Sequence, residues 1–170
     1  MLKKIVILFT FLSAISFSTE ISFQKIYSNT LRFEGTTYIK NNLEESKYGI
    51  SKYYTKDVKN LTKDKAFKIA YKNIYKAHNI DLIENENIKT FIFDWIYHSA
   101  PKNAIKCIQN LLDIEQTGNM DKETIIAINS FSDTDLLLYL LKESRLNYLK
   151  GLKHYKKYEK GWKYRVANIC

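Results

Sequence analysis

The sequence predicts a single all-α domain, and three observations lead to that prediction. Only one proline and five glycines occur among 170 residues, so few turns interrupt the chain. Apolar residues recur at three- and four-residue spacing, which is typical of helices that lie on a core. No stretch sustains the polar and apolar alternation that a strand bounded by turns would show.

The N-terminal 18 residues have the pattern of a secretory signal peptide. A pair of lysines precedes a nearly unbroken apolar run, residues 5–15, which is too short to span a bilayer. Ser16 and Ser18 are small residues at the spacing that signal peptidase reads, so we expect an exported protein, periplasmic or extracellular. An uncleaved membrane anchor is the alternative. After cleavage we expect no stable membrane insertion, since the polar run from Thr19 forms no second span.

The first predicted helix ends at Glu34, the candidate catalytic residue. Its apolar stripe consists of Phe23, Ile26, Tyr27 and Leu31. Gly35 can take the left-handed conformation that ends a helix, which places Glu34 in the last turn. A carboxylate there lies at the negative end of the helix dipole, so its pKa should be raised, which suits a proton donor. The alternative is an ordinary surface glutamate.

Four of the later helices begin with a residue typical of helix N-termini: Thr62, Pro101, Asp121 and either Ser132 or Asp133. The helix after Thr62 should run to about Ala77, and the last long helix carries an apolar side as far as Tyr155. The segment from Ile88 to Ser99 is apolar on nearly every side. We therefore expect it to be the central and most buried helix.

Asp94 is the one carboxylate in that apolar helix. An ionised carboxylate there is costly unless it is paired, so Asp94 either pairs within the fold or lines a cleft. His98, one turn later, has the surroundings of a core histidine. The other histidines, His78 and His154, share no metal-ligand spacing with it, so we expect no metal site and no cofactor.

The formal charge of +9 favours an anionic partner. Anionic lipid and anionic cell-wall polymer fit that charge. Export, and the lack of a dense basic-aromatic array, argue against nucleic acid. Cys107 and Cys170 could form one disulfide in an oxidising compartment, or Cys107 could be a buried free thiol. We expect a monomer.

Six short motifs occur one after another along the chain. They are Glu34-Gly35 with Tyr38, Ser46-Lys47-Tyr48-Gly49-Ile50, Asp57-Val58-Lys59-Asn60-Leu61-Thr62, Phe93-Asp94, Ile108-Gln109 and Gly161-Trp162-Lys163-Tyr164-Arg165-Val166. In this order they resemble glycoside hydrolase family 108, lysozyme-like muramidases found as phage endolysins and exported secretion accessory enzymes. The resemblance covers about residues 20–166. It implies a lysozyme-like fold with a muramidase catalytic half, residues 19–100, and a C-terminal helical half, residues 101–170, often described as a peptidoglycan-binding region.

The resemblance also implies a reaction. The substrate would be peptidoglycan, cut at the β-1,4 bond between N-acetylmuramic acid and N-acetylglucosamine, with Glu34 as general acid. A second carboxylate often serves as nucleophile or base, and the candidates are Glu44, Glu45 and Asp94. The residues assigned to substrate binding are Tyr38, Glu45, Tyr48, Gly49 and Asp94.

Two departures from the family pattern support a different hypothesis. The segment between Gly35 and Tyr48 lacks the family's aspartate and Gly-Gly pair, and its Asp-Gly loop is degraded between Thr117 and Thr124. The alternative is an exported peptidoglycan-binding or secretion-accessory protein that does not catalyse. A third hypothesis, a cationic membrane-active protein, depends on the basic face at residues 150–160.

Overall fold

The computed structural model describes residues 20–40 and 45–170, and helices make up most of them. The predicted signal peptide and the candidate Glu44 lie outside the described residues. The helices are α1 (20–34), α2 (Lys63–Ala70), α3 (Glu86–His98), α4 (Pro101–Leu111), α5 (Lys122–Asn129), α6 (Thr134–Lys150) and α7 (Tyr155–Asn168). A π-helix, Tyr71–Lys76, continues α2, and a 3-10 helix, Ile80–Leu82, precedes α3. The predicted helical class is confirmed.

A small antiparallel sheet, not predicted from the sequence, follows α1 in the chain. Its strands are β1 (Ile39–Lys40), β2 (Glu45–Lys47) and β3 (Ile50–Ser51), in the order β1-β2-β3. Tyr48 and Gly49 join β2 to β3, and both have positive φ, 55° and 76°. Two such residues are the pattern of a tight hairpin turn. The strands are too short for an alternation to be visible in the sequence.

The central helix is α3, as predicted. Every residue from Ile88 to Tyr97 is buried. Asn85 caps its start by accepting hydrogen bonds from the backbone N–H groups of the second and third residues that follow it. The ring of Phe93 meets the ring of Phe23 edge-on at 5.3 Å, so α1 packs directly on α3. This contact fixes the first turn of α1 on the core, and the Tyr27 ring, which meets the Tyr97 ring edge-on at 6.1 Å, fixes the next.

The predicted helix starts are confirmed, but two helix ends are not. Thr62, Asp121 and Asp133 each accept a hydrogen bond from a backbone N–H three residues on, and Pro101 opens α4. The predicted single helix after Thr62 changes to a π-helix at Tyr71. The predicted last helix stops early, with Gly151 at its C-cap. The chain turns there and begins α7, which packs against α6.

The two cysteines do not pair. Both thiols are free, and the thiol of Cys170 donates to the carbonyl of Asn87 at 3.2 Å. In residues 20–40 and 45–170, no helix combines the length and the apolar character that crossing a membrane requires.

Candidate active site

A groove of about 1650 Å³ runs across the molecule beside the end of α1. Its walls come from the end of α1, the sheet, the junction of α3 and α4, the loop at 117–119, and α7. Glu34 lies in this groove with 15% of its side chain exposed. Among the described lining residues it is the one carboxylate. Both predicted halves of the chain therefore contribute to the groove.

The end of α1 places Glu34 in the groove. Glu34 is the last helical residue, and the backbone N–H of Gly35 donates to the carbonyl of Leu31 at 3.3 Å. Gly35 has φ +69°, so its left-handed conformation ends the helix where the sequence predicted.

Gly49 allows the sheet to approach Glu34. A Cβ at this position would lie 2.9 Å from the carboxyl carbon of Glu34 and 2.5 Å from Cε1 of Tyr97. No side chain fits at such distances without a shift of its neighbours. The hydroxyl of Tyr97 also donates to the carbonyl of Tyr48 at 2.6 Å, so the hairpin turn is fastened to α3.

A chain of four charged side chains connects Glu34 to the core. Arg165 Nη2 lies 2.6 Å from Glu34 Oε1 and 2.7 Å from Asp94 Oδ1. The other oxygen of Asp94 accepts from Arg165 Nε at 2.9 Å and from Arg145 Nη1 at 2.8 Å. We call Glu34, Arg165, Asp94 and Arg145 the ion-pair chain. Asp94 and Arg145 are both fully buried.

The charges of the ion-pair chain support each other. Burial acts to raise the pKa of Asp94, but Arg145 and Arg165 outweigh it and lower that pKa to about 2. Burial acts to lower the pKa of Arg165, yet Asp94 and Glu34 raise it above its usual value. Burial lowers the pKa of Arg145, but two carboxylates and two guanidinium groups balance in charge, so the charged forms persist in the interior.

Arg165 acts against the effect that we predicted for Glu34. The prediction of a raised pKa considered the helix end alone. A guanidinium at 2.6 Å favours the charged carboxylate instead. The chemistry of Glu34 therefore depends on the contact with Arg165 as well as on its place in α1.

The neighbouring histidine is neutral at physiological pH. His98 lies at the end of α3 and lines the groove. Burial, and then the charges of Arg165 and Arg145, lower its pKa to about 3. Its ring meets the Trp162 ring edge-on at 6.1 Å. It therefore adds a polar but uncharged surface beside the ion-pair chain.

Only Gly49 of the five predicted binding residues lines the groove. The Tyr38 hydroxyl donates to Glu45 Oε1 at 2.7 Å, and neither side chain reaches the groove. Ser46 and Lys47 of β2 line it instead. The Tyr48 side chain also lies outside it.

The assignment of Asp94 to substrate binding is wrong. Its side chain is fully buried, and both of its oxygens contact guanidinium groups. The other interpretation, structural pairing, is the one that the structure supports. The sequence could not show this, because the partners come from α6 and α7, more than 50 residues away.

The degraded Asp-Gly loop forms another wall of the groove. Buried Gln109 places its amide nitrogen 2.9 Å from Thr117 Oγ1, Asn119 O and Thr124 Oγ1, and its amide oxygen accepts from Gly118 N at 2.8 Å. This bonding holds the loop, whose residues Thr117, Gly118 and Asn119 line the groove. In the part of the chain that the structure describes, no cluster of histidine, cysteine and acidic residues could hold a metal ion.

The contribution of α7 to the groove was not predicted from the sequence. Tyr158, Trp162 and Arg165 all line the groove. They are spaced four and three residues apart, which puts them on one face of a helix. That spacing was visible in the sequence, but the residues after Gly161 were not predicted to be helical.

Comparison with known proteins gives a structural relative. No family model matches the chain, and no curated protein matches it. Among solved structures it is similar to SagA of Brucella abortus, with 26% sequence identity and a TM-score of 0.77. The match covers 86% of this chain and 90% of SagA. Together with seven described helices and one small sheet, this likeness bears out the predicted lysozyme-like fold.

Proposed function

We propose that this protein is an exported lysozyme-type muramidase that cuts peptidoglycan with Glu34 as general acid. The bond broken is the β-1,4 bond between N-acetylmuramic acid and N-acetylglucosamine. One observation carries the proposal: among residues 20–40 and 45–170, Glu34 is the one carboxylate that lies in a groove large enough for a polymer, and distant segments fix it in place. The lysozyme-like fold and the likeness to SagA support it.

Hydrolysis requires Glu34 to give a proton to the leaving oxygen and then to remain as a carboxylate. Arg165 stabilises that carboxylate, since the two groups are in contact. Asp94 holds the same guanidinium through two of its nitrogens, so Arg165 stays in place whether or not Glu34 carries a proton. The same contact also has a disadvantage, because Arg165 disfavours the protonated form of Glu34 that must be present before the reaction. A bound glycan would exclude water from the groove. That exclusion would favour the protonated form of Glu34 only if the glycan also separated Glu34 from Arg165.

The attacking group must come from elsewhere in the groove. No carboxylate besides Glu34 lines it among residues 20–40 and 45–170. One source is a water that inverts the configuration of the sugar and gives its proton to a base. Glu44, which lies outside the described residues, is the candidate for that base or for a nucleophile that retains the configuration. The anomer released, observed by NMR during the first turnovers, separates inversion from retention.

The charge of the groove suits the stem peptides of peptidoglycan. Arg32, Lys47 and Lys102 line it, and Glu34 is its one described carboxylate. Stem-peptide carboxylates would be attracted to this surface, which aids encounter more than bond cleavage.

The test is digestion of purified sacculi by the parent protein and by Glu34→Gln. Loss of the proton donor should reduce the rate by about two to four orders of magnitude. Glu123→Gln is the matched control, because this glutamate is exposed on α5, does not line the groove and should keep the parental rate. Borohydride reduction identifies the bond: muramitol supports the assignment, and glucosaminitol contradicts it. A Glu34→Gln protein that lyses like the parent would refute the acid assignment.

A second candidate is a peptidoglycan-binding protein that does not cut. The Arg165–Glu34 ion pair favours it, because a paired carboxylate is a poor proton donor. Retention on sacculi without released fragments would support this candidate, and a loss of turbidity would exclude it.

A further inference from the structure

We propose that Tyr158 and Trp162 form a sugar-binding platform in the groove. The platform holds a sugar residue of the glycan strand that does not take part in the bond that is cut. This inference rests on the proposed function, since it places the platform in the same groove. It adds a binding subsite contributed by the C-terminal half of the chain.

Helix α7 sets the distance between the platform and Glu34. Arg165 contacts the Glu34 carboxylate, while Trp162 and Tyr158 lie one and two turns earlier on the same face. At about 1.5 Å per residue, the two aromatic residues are about 4.5 and 10 Å from Arg165 along the helix axis. Trp162 would therefore lie beside the sugar next to the one at Glu34, and Tyr158 beside the sugar after that.

The two rings form a continuous surface. Their centroids are 5.5 Å apart and their planes differ by 32°. Trp162 is supported from behind by Tyr155, with centroids 6.3 Å apart, and from the side by the edge-on ring of His98. Tyr158 remains 45% exposed while lining the groove. The C–H groups on one side of a pyranose ring carry slight positive charge, so they pack well on the negative face of an aromatic ring.

Packing alone does not explain Tyr158. A tyrosine that served only the core would bury most of its ring, as Tyr27 and Tyr75 do with 2% and 0% exposure. Lys157 Nζ lies over one face of the Tyr158 ring, 5.0 Å from its centroid, and Lys157 does not itself line the groove, so a cation borders the platform from outside. A cation there suits the carboxylates of a stem peptide. We therefore assign the platform to a muramyl residue that carries its peptide.

The experiment measures kcat and KM on soluble, uncrosslinked peptidoglycan strands for the parent, Tyr158→Ala and Tyr139→Ala. Tyr139 is the matched control, since it is 59% exposed on α6 and does not line the groove. Tyr158→Ala should raise KM about tenfold and leave kcat near the parental value, because the lost contact is the same in the ground and transition states. Tyr139→Ala should match the parent.

Fluorescence gives a second measurement that does not depend on catalysis. The chain has two tryptophans, and Trp95 is fully buried, so strands on the platform should change the emission of Trp162. Trp162→Phe should abolish that change. An unchanged KM for Tyr158→Ala, or a fall in its kcat alone, overturns the platform while the proposed function stands. A parent that neither binds nor cuts the strands overturns both.

Discussion

The groove has two parts that differ in how their side chains are held. We call Glu34, Gly49, Tyr97 and Arg165 the floor, and Tyr158 and Trp162 the aromatic wall. Each floor residue contacts a residue from another element through an ion pair, a hydrogen bond or close packing. The wall rings pack mainly on each other and on nearby rings. Changes in the floor should therefore alter stability and chemistry together, whereas changes in the wall should alter binding alone.

The ion-pair chain connects the floor of the groove to the buried core. Asp94 contacts Arg145 from α6 and Arg165 from α7, so it joins three helices. Glu34 takes its orientation from the end of this chain. The aromatic wall is held by ring packing instead, which includes the edge-on contact of Trp162 with His98 of α3, and Tyr158 is 45% exposed.

The largest effect is expected for Asp94→Asn. The change leaves Arg145, which is fully buried, without its negative partner, and weakens the hold on Arg165. We expect a loss of about 3–5 kcal/mol in the free energy of unfolding, measured by urea denaturation. Asp113→Asn is the matched control, because Asp113 is exposed and has φ 54°, which asparagine tolerates. Equal midpoints for the two variants would contradict the role of the ion-pair chain.

The next effect is expected for Gly49→Ala, compared with Gly35→Ala. Both glycines have positive φ, 76° and 69°, so both variants lose about 1–2 kcal/mol from backbone strain. At Gly49 the added carbon also meets Glu34 and Tyr97, whereas nothing lies within 4 Å at Gly35. Displacing these side chains should cost a further 1–3 kcal/mol or so.

The same pair of variants separates stability from chemistry. Because Gly49→Ala moves the Glu34 carboxyl, its kcat on soluble strands should fall even where the protein is fully folded. Gly35→Ala should keep a kcat closer to the parental value. Equal losses of stability in the two variants would mean that Glu34 and Tyr97 move away from the added carbon at little cost, contrary to the packing distances at Gly49.

A smaller effect is expected from acid. The folded pKa of Asp94 is about 2, below its ordinary value of 3.8, because Arg145 and Arg165 outweigh burial. The carboxylate thus stabilises the fold fully above about pH 4, and this contribution is lost as pH falls toward 2. Its size is on the order of 2 kcal/mol. Urea midpoints measured from pH 5 to pH 2 should fall for the parent and fall less for Asp94→Asn.

The features that could be predicted from the sequence are those set by residues close to one another along the chain. The caps at Thr62, Asp121 and Asp133 and the helix end at Gly35 are local, and each occurs where expected. The partners of Asp94 lie 51 and 71 residues away, so no local pattern could reveal them.

Two further differences have their own physical reasons. The strands β1 to β3 are two or three residues long, which leaves no readable alternation. The face of the sheet that Glu45 and Tyr38 occupy depends on register, and one residue of shift exchanges the two faces. Glu34 was found because a helix end has a recognisable sequence, and Gly49 because it lies in a motif that resembles the family's. Tyr97 and Arg165, which contact the loop at Gly49 and the Glu34 carboxylate, were not assigned to the site.

The smallest effect is expected for Tyr38→Ala, and it sharpens the contrast with the aromatic wall. Both Tyr38 and Tyr158 are partly exposed tyrosines, but only Tyr158 lines the groove. The Tyr38 hydroxyl is engaged by Glu45 on the other side of the sheet. KM on soluble strands should therefore stay within about twofold of the parent, as for most surface changes away from a site. A tenfold rise in KM would mean that the sugar reaches the far side of the sheet, and the boundary that we draw around the groove would then be wrong.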